Sequence, residues 1–291
     1  MTEEFENSDP DLTYPLSIDY LPDEILAKAE GELNETPENK DRLLRELKIR
    51  AESDNETKDI NFLDDFLRQF LRQSKYNVSK SFKRLQSFIK FRKQNENIFK
   101  NVENITKSID YQFCTPLPFR CREGCTITLF DYSKWSPSGI TVEDLNRIGI
   151  IMYHQALRNP LAQVNGFKMI VDWKGSNFTQ LRHTPPKSLY LAYKSFVACT
   201  PARNKEIHFV NEGAIWQATW TLLKPFMSEK MKKRIIVHSS PEDLLNYFPK
   251  HCLPVQYGGD LEDYYMEEWM KEANVQHGTS TLAGQPNTFD N

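Results

Sequence analysis

Apolar residues recur at helical spacing through the first third of the chain. Leu21, Ile25, Ala29 and Leu33 follow one another every four residues and predict a first helix. Thr36-Pro37-Glu38 supplies a capping threonine and a proline suited to the first helical position, so a second helix starts there with Leu43, Leu44 and Leu47 on its face. The pairs Phe62-Leu63, Phe66-Leu67 and Phe70-Leu71 give a third, and Val78, Phe82, Leu85 and Ile89 a fourth. Residues 20–100 therefore read as a small all-α unit. Residues 1–19 lack periodicity and are expected to form an acidic, disordered arm, and the small, polar stretch 274–291 a disordered tail.

The period changes at Thr115-Pro116-Leu117-Pro118. Beyond it, residues 126–132 read as a strand, and Thr141-Val142-Glu143-Asp144 resembles a capping box opening a helix that ends before Pro160. Residues 167–172 form the next strand. Thr184-Pro185 opens a helix bearing Leu189, Ala192, Tyr193 and Phe196. Strands at 207–211 and 235–237 flank another helix, and Ser240-Pro241-Glu242-Asp243 starts a last one, closed by Pro249. Such alternation predicts an α/β fold over 115–270, with a mostly parallel sheet and right-handed crossover helices.

The helix between the last two strands is unusual. Trp216, Trp220, Leu223 and Met227 form one stripe, while Ile215, Thr219, Leu222 and Phe226 form a second beside it. A helix of a globular protein usually buries one stripe, whereas this one is apolar around most of its circumference. Lys230, Lys232, Lys233 and Arg234 follow at once. A surface that meets lipid fits this pattern, and so does an ordinary core helix followed by a solvated turn.

Charge narrows the picture. The 291 residues carry a formal net charge of −3, unevenly placed: the first 38 are strongly acidic, and bases collect around residues 80–93 and 224–234. The polar N-terminus has no secretory h-region, no run is long enough to span a bilayer, and neither end carries a lipidation motif. Five cysteines without zinc-ligand spacing are expected to be reduced thiols of a cytosolic protein. The expectation is a soluble, cytoplasmic chain whose membrane contact is peripheral.

Catalytic signatures are missing. There is no G-x-S-x-G elbow, no P-loop and no G-x-G-x-x-G, and the six histidines lack zincin spacing. His208 and His238 lie in apolar strands, where satisfied core histidines are the commoner finding. Asp172 ends a strand in VDWKG, a place for a catalytic acid or for a plain turn at Gly175. The basic run is short and free of interleaved aromatics, which argues against nucleic acid. No enzyme, metal or cofactor is expected.

Four blocks then carry a resemblance. FLDDFLRQFLRQSKYNVSKSFKRLQSFIKFR resembles the N-terminal helical signature of CRAL-TRIO proteins. GFKMIVDWKG, EIHFVNEGAIWQATWTLLKPFMSEKMKKRI and FPKHCLPVQYGGDL resemble the strongest blocks of the CRAL-TRIO lipid-binding domain, in the right order. The resemblance spans residues 20–270 and is nearest the branch holding α-tocopherol transfer protein, cellular retinaldehyde-binding protein and clavesins.

That resemblance implies an apolar pocket between the sheet and a mobile gate helix at 211–227, with Pro225 as a hinge. The pocket wall would include Gly149, Tyr153, Phe167, Val171, Thr184, Ala192, Phe196, Trp216, Thr219, Leu222, Leu223 and Met227. A phosphoinositide headgroup would be held by Arg72, Arg203, Lys205, Lys230 and Arg234. Gln69 and Ser74 depart from the family's arginine pattern, and Gly149, Tyr153, Trp216 and Trp220 change pocket room and polarity, so the ligand need not be tocopherol. The implied function is non-enzymatic carriage of a tocopherol-like or retinoid-like molecule, released or exchanged at phosphoinositide membranes, an endosomal membrane being one candidate. A phosphoinositide-dependent trafficking adaptor and a phosphatidylinositol/phosphatidylcholine exchange protein stand as alternatives.

Overall fold

A computed structural model describes residues 21–99, 113–262 and Tyr264. The expected arm (1–19), the tail (274–291) and the last residues of the expected α/β domain lie outside the described residues.

Among the described residues, the first elements are four α-helices: α1 (Asp23–Leu33), α2 (Pro37–Ser53), α3 (Asp64–Gln73) and α4 (Val78–Gln94). Thr36 caps α2 as its sequence dictates, its hydroxyl accepting the Asn39 N–H at 3.1 Å. The every-four-residue phenylalanines of α3 face inward, and Phe66, Phe70 and Phe88 pack with ring centroids 5.2–5.9 Å apart. This buried cluster extends to Ile150 and Cys199, so the helices and the α/β region share one apolar contact.

The second region is a five-stranded sheet in the order β1 (Cys114–Arg120), β2 (Thr126–Asp131), β3 (Phe167–Asp172), β4 (Asn204–Val210), β5 (Ile235–Val237). Only β1 runs antiparallel; the rest pair in parallel. The sequence reading missed β1 because two prolines sit in it. Both are tolerated since β1 is an edge strand, whose register shifts between Pro116 and Arg120.

Parallel strands in sequential order, joined by right-handed crossovers, place every crossover helix on one face. Those connections hold α5 (Val142–Ala156), α6 (Pro160–Asn165), α7 (Phe178–Arg182), α8 (Pro186–Tyr193), α9 (Ala214–Leu223) and the single turn α10 (Glu229–Lys232). Phe167, Met169 and Val171 of β3 point into that layer's core, while Ile170 points to the opposite face.

The opposite face is covered by 3-10 turns rather than a helix. Ser240 and Asp243 do form the expected capping box, but the segment they open, Pro241–Asn246, is 3-10, and Pro249 ends it. Leu244, Phe248, Cys252, Leu253 and Tyr257 seal this side. Between them lies a polar set. His208 Nδ1 meets His238 Nε2 at 2.9 Å, His208 Nε2 meets Glu206 at 3.1 Å, and Lys168 bonds Glu206 at 2.9 Å.

Burial pushes both of these histidines below the usual imidazole range, against the pull of Glu206 on His208 and of Asp243 on His238. His154, buried in the last turn of α5, is pushed down to about 3 by burial, with Arg92 and Arg158 adding to the effect. A depressed histidine stays neutral in the fold, while the unfolded chain takes its proton near pH 6.5, so stability is full above that pH and falls as pH drops below it. The urea midpoint is expected to be flat from pH 8 to 7 and to decline from pH 6.5 to 4.5; a midpoint constant down to pH 5 would contradict this.

Candidate functional site: a basic cleft beside a packed apolar interior

A cleft of about 770 Å³ opens between the N-terminal helices and the α/β region. Lys75, Lys80, Lys83 and Arg84 line one wall, and Arg203, Lys205, Lys230 and Arg234 the other. Glu32 of α1 is the one acid among the described lining residues; it lies 3.3 Å from Arg203 and 3.6 Å from Lys205. Burial alone would raise the Glu32 carboxyl, but Lys205, Arg203 and Lys28 outweigh it and hold it below the ordinary range. Lys230 is likewise held below the ordinary lysine range: Arg234 chiefly, then burial, then Lys75, Lys80 and Arg203 push it down. Cations from both walls thus act on one ammonium, a like-charge crowding that a multivalent anion relieves.

The apolar interior lies behind this cleft. Between α8 and Thr200 the chain makes a π-helical turn, Lys194–Ala198, which sets Phe196 inward. Its ring packs 5.9 Å from Tyr153 and 5.8 Å from Phe130, and Tyr153 packs 5.0 Å from Phe167. Gly149 makes this approach possible, since a Cβ there would stand 2.5 Å from the Phe196 ring. A small cavity of about 10 Å³ remains nearer α9, lined by Trp173, Thr184, Ile215 and Thr219 among others.

Helix α9 closes that layer. Ile215, Trp216 and Thr219 are buried; Trp216 lies 4.0 Å from Phe209 and 5.6 Å from Trp173, while Trp220 is half-buried. Leu222 and Phe226 are exposed, Phe226 leaning on Tyr190 at 5.0 Å. Inward and outward residues therefore cut across the two stripes read from spacing. The helix gives way at Leu223 to a 3-10 turn, Lys224–Phe226, because Pro225 has no N–H to continue it.

Its entry is fixed by a carboxylate. Asp172, buried at the end of β3, accepts from the Lys174 N–H at 2.8 Å, Asn211 Nδ2 at 2.7 Å and the Tyr257 hydroxyl at 2.8 Å. Asn211 holds a left-handed φ of 54° there. Asp172 thus ties β3, the start of the α9 connection and the C-terminal turns into one joint. Asp172→Ala leaves these donors without their acceptor and is expected to cost about 2–3 kcal/mol in urea unfolding, since each orphaned buried donor is penalised by about 1–3 kcal/mol.

The CRAL/TRIO domain profile matches residues 111–259. Clavesin-2 of Rattus norvegicus is 31% identical over 259 residues, covering 86% of this chain and 78% of that protein. Clavesin-1 of Xenopus laevis is 30% identical over 256 residues, covering 85% and 76%. The chain belongs to the CRAL/TRIO lipid-binding family. Among solved structures, that of Sfh5 aligns over 87% of this chain and 92% of its own at a TM-score of 0.49 and 13% identity.

Of the residues that the CRAL/TRIO resemblance marks for a headgroup, Arg203, Lys205, Lys230 and Arg234 come together in the cleft. Arg72 does not line it. Its guanidinium is buried against Glu35, at 2.7 and 2.6 Å, and donates to Gln163 at 2.6 Å. Ser74, two residues along, lines the cleft instead. Lys75, Lys80, Lys83 and Arg84 were missed as site residues. The signal for Lys80, Lys83 and Arg84 is the basic cluster around residues 80–93, which the fold brings against the one around 224–234; Lys75 lies outside it.

Of the pocket residues, Gly149, Tyr153, Phe167, Val171, Trp216 and Thr219 are buried in the crossover layer. Thr184, Ala192, Phe196, Leu223 and Met227 are half-buried, and Leu222 faces outward. Among the described residues no helix is long and apolar enough to cross a membrane, and no group of His, Cys, Asp and Glu could hold a metal.

Proposed function

We propose that this chain carries a small apolar molecule between its sheet and helix α9, and exchanges it at membranes bearing phosphorylated inositol headgroups. The supporting observation is the cleft, where basic side chains from two sequence-distant clusters converge around a single acid. A phosphorylated headgroup needs several converging cations, and arginine can grip phosphate with two parallel bonds. Helix α9 serves as the gate: its inner face seals the apolar layer, its outer face offers Leu222 and Phe226 to lipid, and its ends are a proline turn and the Asn211 joint. Headgroup binding promotes release only insofar as the anion prefers the open state.

The test is vesicle binding. Each base near an anionic surface contributes about 1 kcal/mol, so Lys230→Ala with Arg234→Ala is expected to weaken binding to vesicles containing phosphatidylinositol bisphosphate by about 30-fold. Unchanged binding sinks the assignment.

One observation favours a second reading. Phe196, Tyr153, Phe167 and Phe130 pack on one another where cargo would lie. A protein that docks on phosphoinositides as a trafficking adaptor needs no cargo space. Transfer of a lipid between two vesicle populations distinguishes the two, and mass spectrometry of co-purified lipid identifies the cargo, including the two-chain phospholipid of an exchange protein.

A further inference from the structure

The cleft and the apolar interior are separated by the π-helical turn, and the arginines of the cleft hold that turn in place. Arg84 Nη1 donates to the Ala198 carbonyl at 2.7 Å and to the Thr200 carbonyl at 3.1 Å. Asn204 Nδ2 donates to the Phe196 carbonyl at 2.9 Å, and Asn204 is itself held through its own carbonyl by Arg234. Inside the turn, the Thr200 hydroxyl bonds Ser195, and Ser195 Oγ bonds Leu191 at 2.7 Å. The turn in turn positions Phe196, whose ring fills the space between Gly149 and Tyr153.

These are pairings of charged donors with neutral acceptors. Among the described residues, Arg84 and Arg234 have backbone carbonyls as hydrogen-bond partners and no carboxylate. A phosphate oxygen is a stronger acceptor for guanidinium than a carbonyl, and the cleft would bring it to both arginines at once.

We infer that Arg84 is a positioning residue coupling the cleft to the interior: a phosphate-bearing anion draws its guanidinium off the Ala198 and Thr200 carbonyls, the turn relaxes, and Phe196 vacates the space over Gly149. The inference rests on the cleft being an anion site, as proposed above, and adds to the gate at α9 a link from the cleft to the interior, the turn at 194–198. The two-state element is the turn itself, pinned or released, and the anion shifts it by binding the released form better. The shared chemistry is a polyphosphorylated inositol, free or as a lipid headgroup.

The experiment titrates Nile red, an uncharged apolar dye, into the full chain with and without saturating inositol hexakisphosphate, whose own binding is measured by calorimetry. The anion is expected to raise dye affinity by about fivefold or more in the wild type, the lower end of ordinary coupling between sites. Arg84→Met should bind dye as tightly without anion as the wild type does with it, and should respond no further. Phe196→Ala should behave the same way with the cleft untouched. Arg84→Lys, which keeps the charge and one donor to a carbonyl, should fall between, and serves if Arg84→Met fails to fold.

Four results overturn the inference. A wild-type response to the anion in Arg84→Met refutes the coupling. Anion binding without a change in dye affinity refutes it while leaving the anion site standing; no anion binding removes both. If vesicles containing phosphatidylinositol bisphosphate raise dye affinity and the bound soluble anion does not, the lipid surface opens the protein and Arg84 does not.

Discussion

Replacing Arg72 by alanine is expected to destabilise the fold by about 3–5 kcal/mol, the usual penalty for leaving a buried ion-pair partner unmatched. Arg72 and Glu35 are both nearly closed to solvent, with side-chain exposures of 8% and 5%. Burial works against the Arg72 charge, yet the hydrogen bonds and charge of Glu35 more than offset it, so its proton is held more tightly than in water. The pair, with Gln163, joins α3 to the α1–α2 link and to α6. Alanine at 72 strands the Glu35 carboxylate, while Arg72→Met with Glu35→Leu removes both charges and should recover much of the loss. Urea unfolding of the single and double variants checks this. A single variant of wild-type stability that no longer bound phosphoinositide vesicles would return Arg72 to the headgroup.

The contrast between Arg72 and Arg203 shows where sequence reading stops. Both are basic at positions the resemblance marks, and nothing in local spacing separates them. Both reach a carboxylate from the start of the chain, Arg203 that of Glu32 and Arg72 that of Glu35. What separates them is that the packing of α1 against α3 and α6 engages all three Arg72 guanidinium nitrogens with Glu35 and Gln163 away from the cleft, whereas Arg203 lines it. The helices of the first region were legible because their caps and their Phe-Leu pairs are local signals, and β3 was legible because both its faces are buried. Strand β1 was not, as its prolines mimic a linker until the edge position is known. The π-helical turn was not, since its extra residue leaves no mark on the apolar spacing of Leu189, Ala192, Tyr193 and Phe196. The cleft was half legible: each basic cluster stands out along the chain, but their meeting is a property of topology.

Trp216→Ala is expected to cost about 3–5 kcal/mol, the range for removing a large aromatic from a packed core. The indole is 3% exposed, lies 4.0 Å from Phe209 and 5.4 Å from Trp220, and completes the seal of α9 over the sheet. Its removal joins the space it leaves to the small cavity that Ile215 and Thr219 already border. An apolar void of this kind stays dry and takes up small uncharged molecules. The variant should therefore lose stability and gain affinity for such a probe at once, whereas Trp220→Ala, truncating a half-buried ring, should lose less of the first and gain less of the second. Unfolding midpoints and probe titrations on the two variants decide it. Equal losses for Trp216 and Trp220 would mean that α9 is held by its whole apolar circumference, which would leave the outer face too firmly packed to serve a membrane.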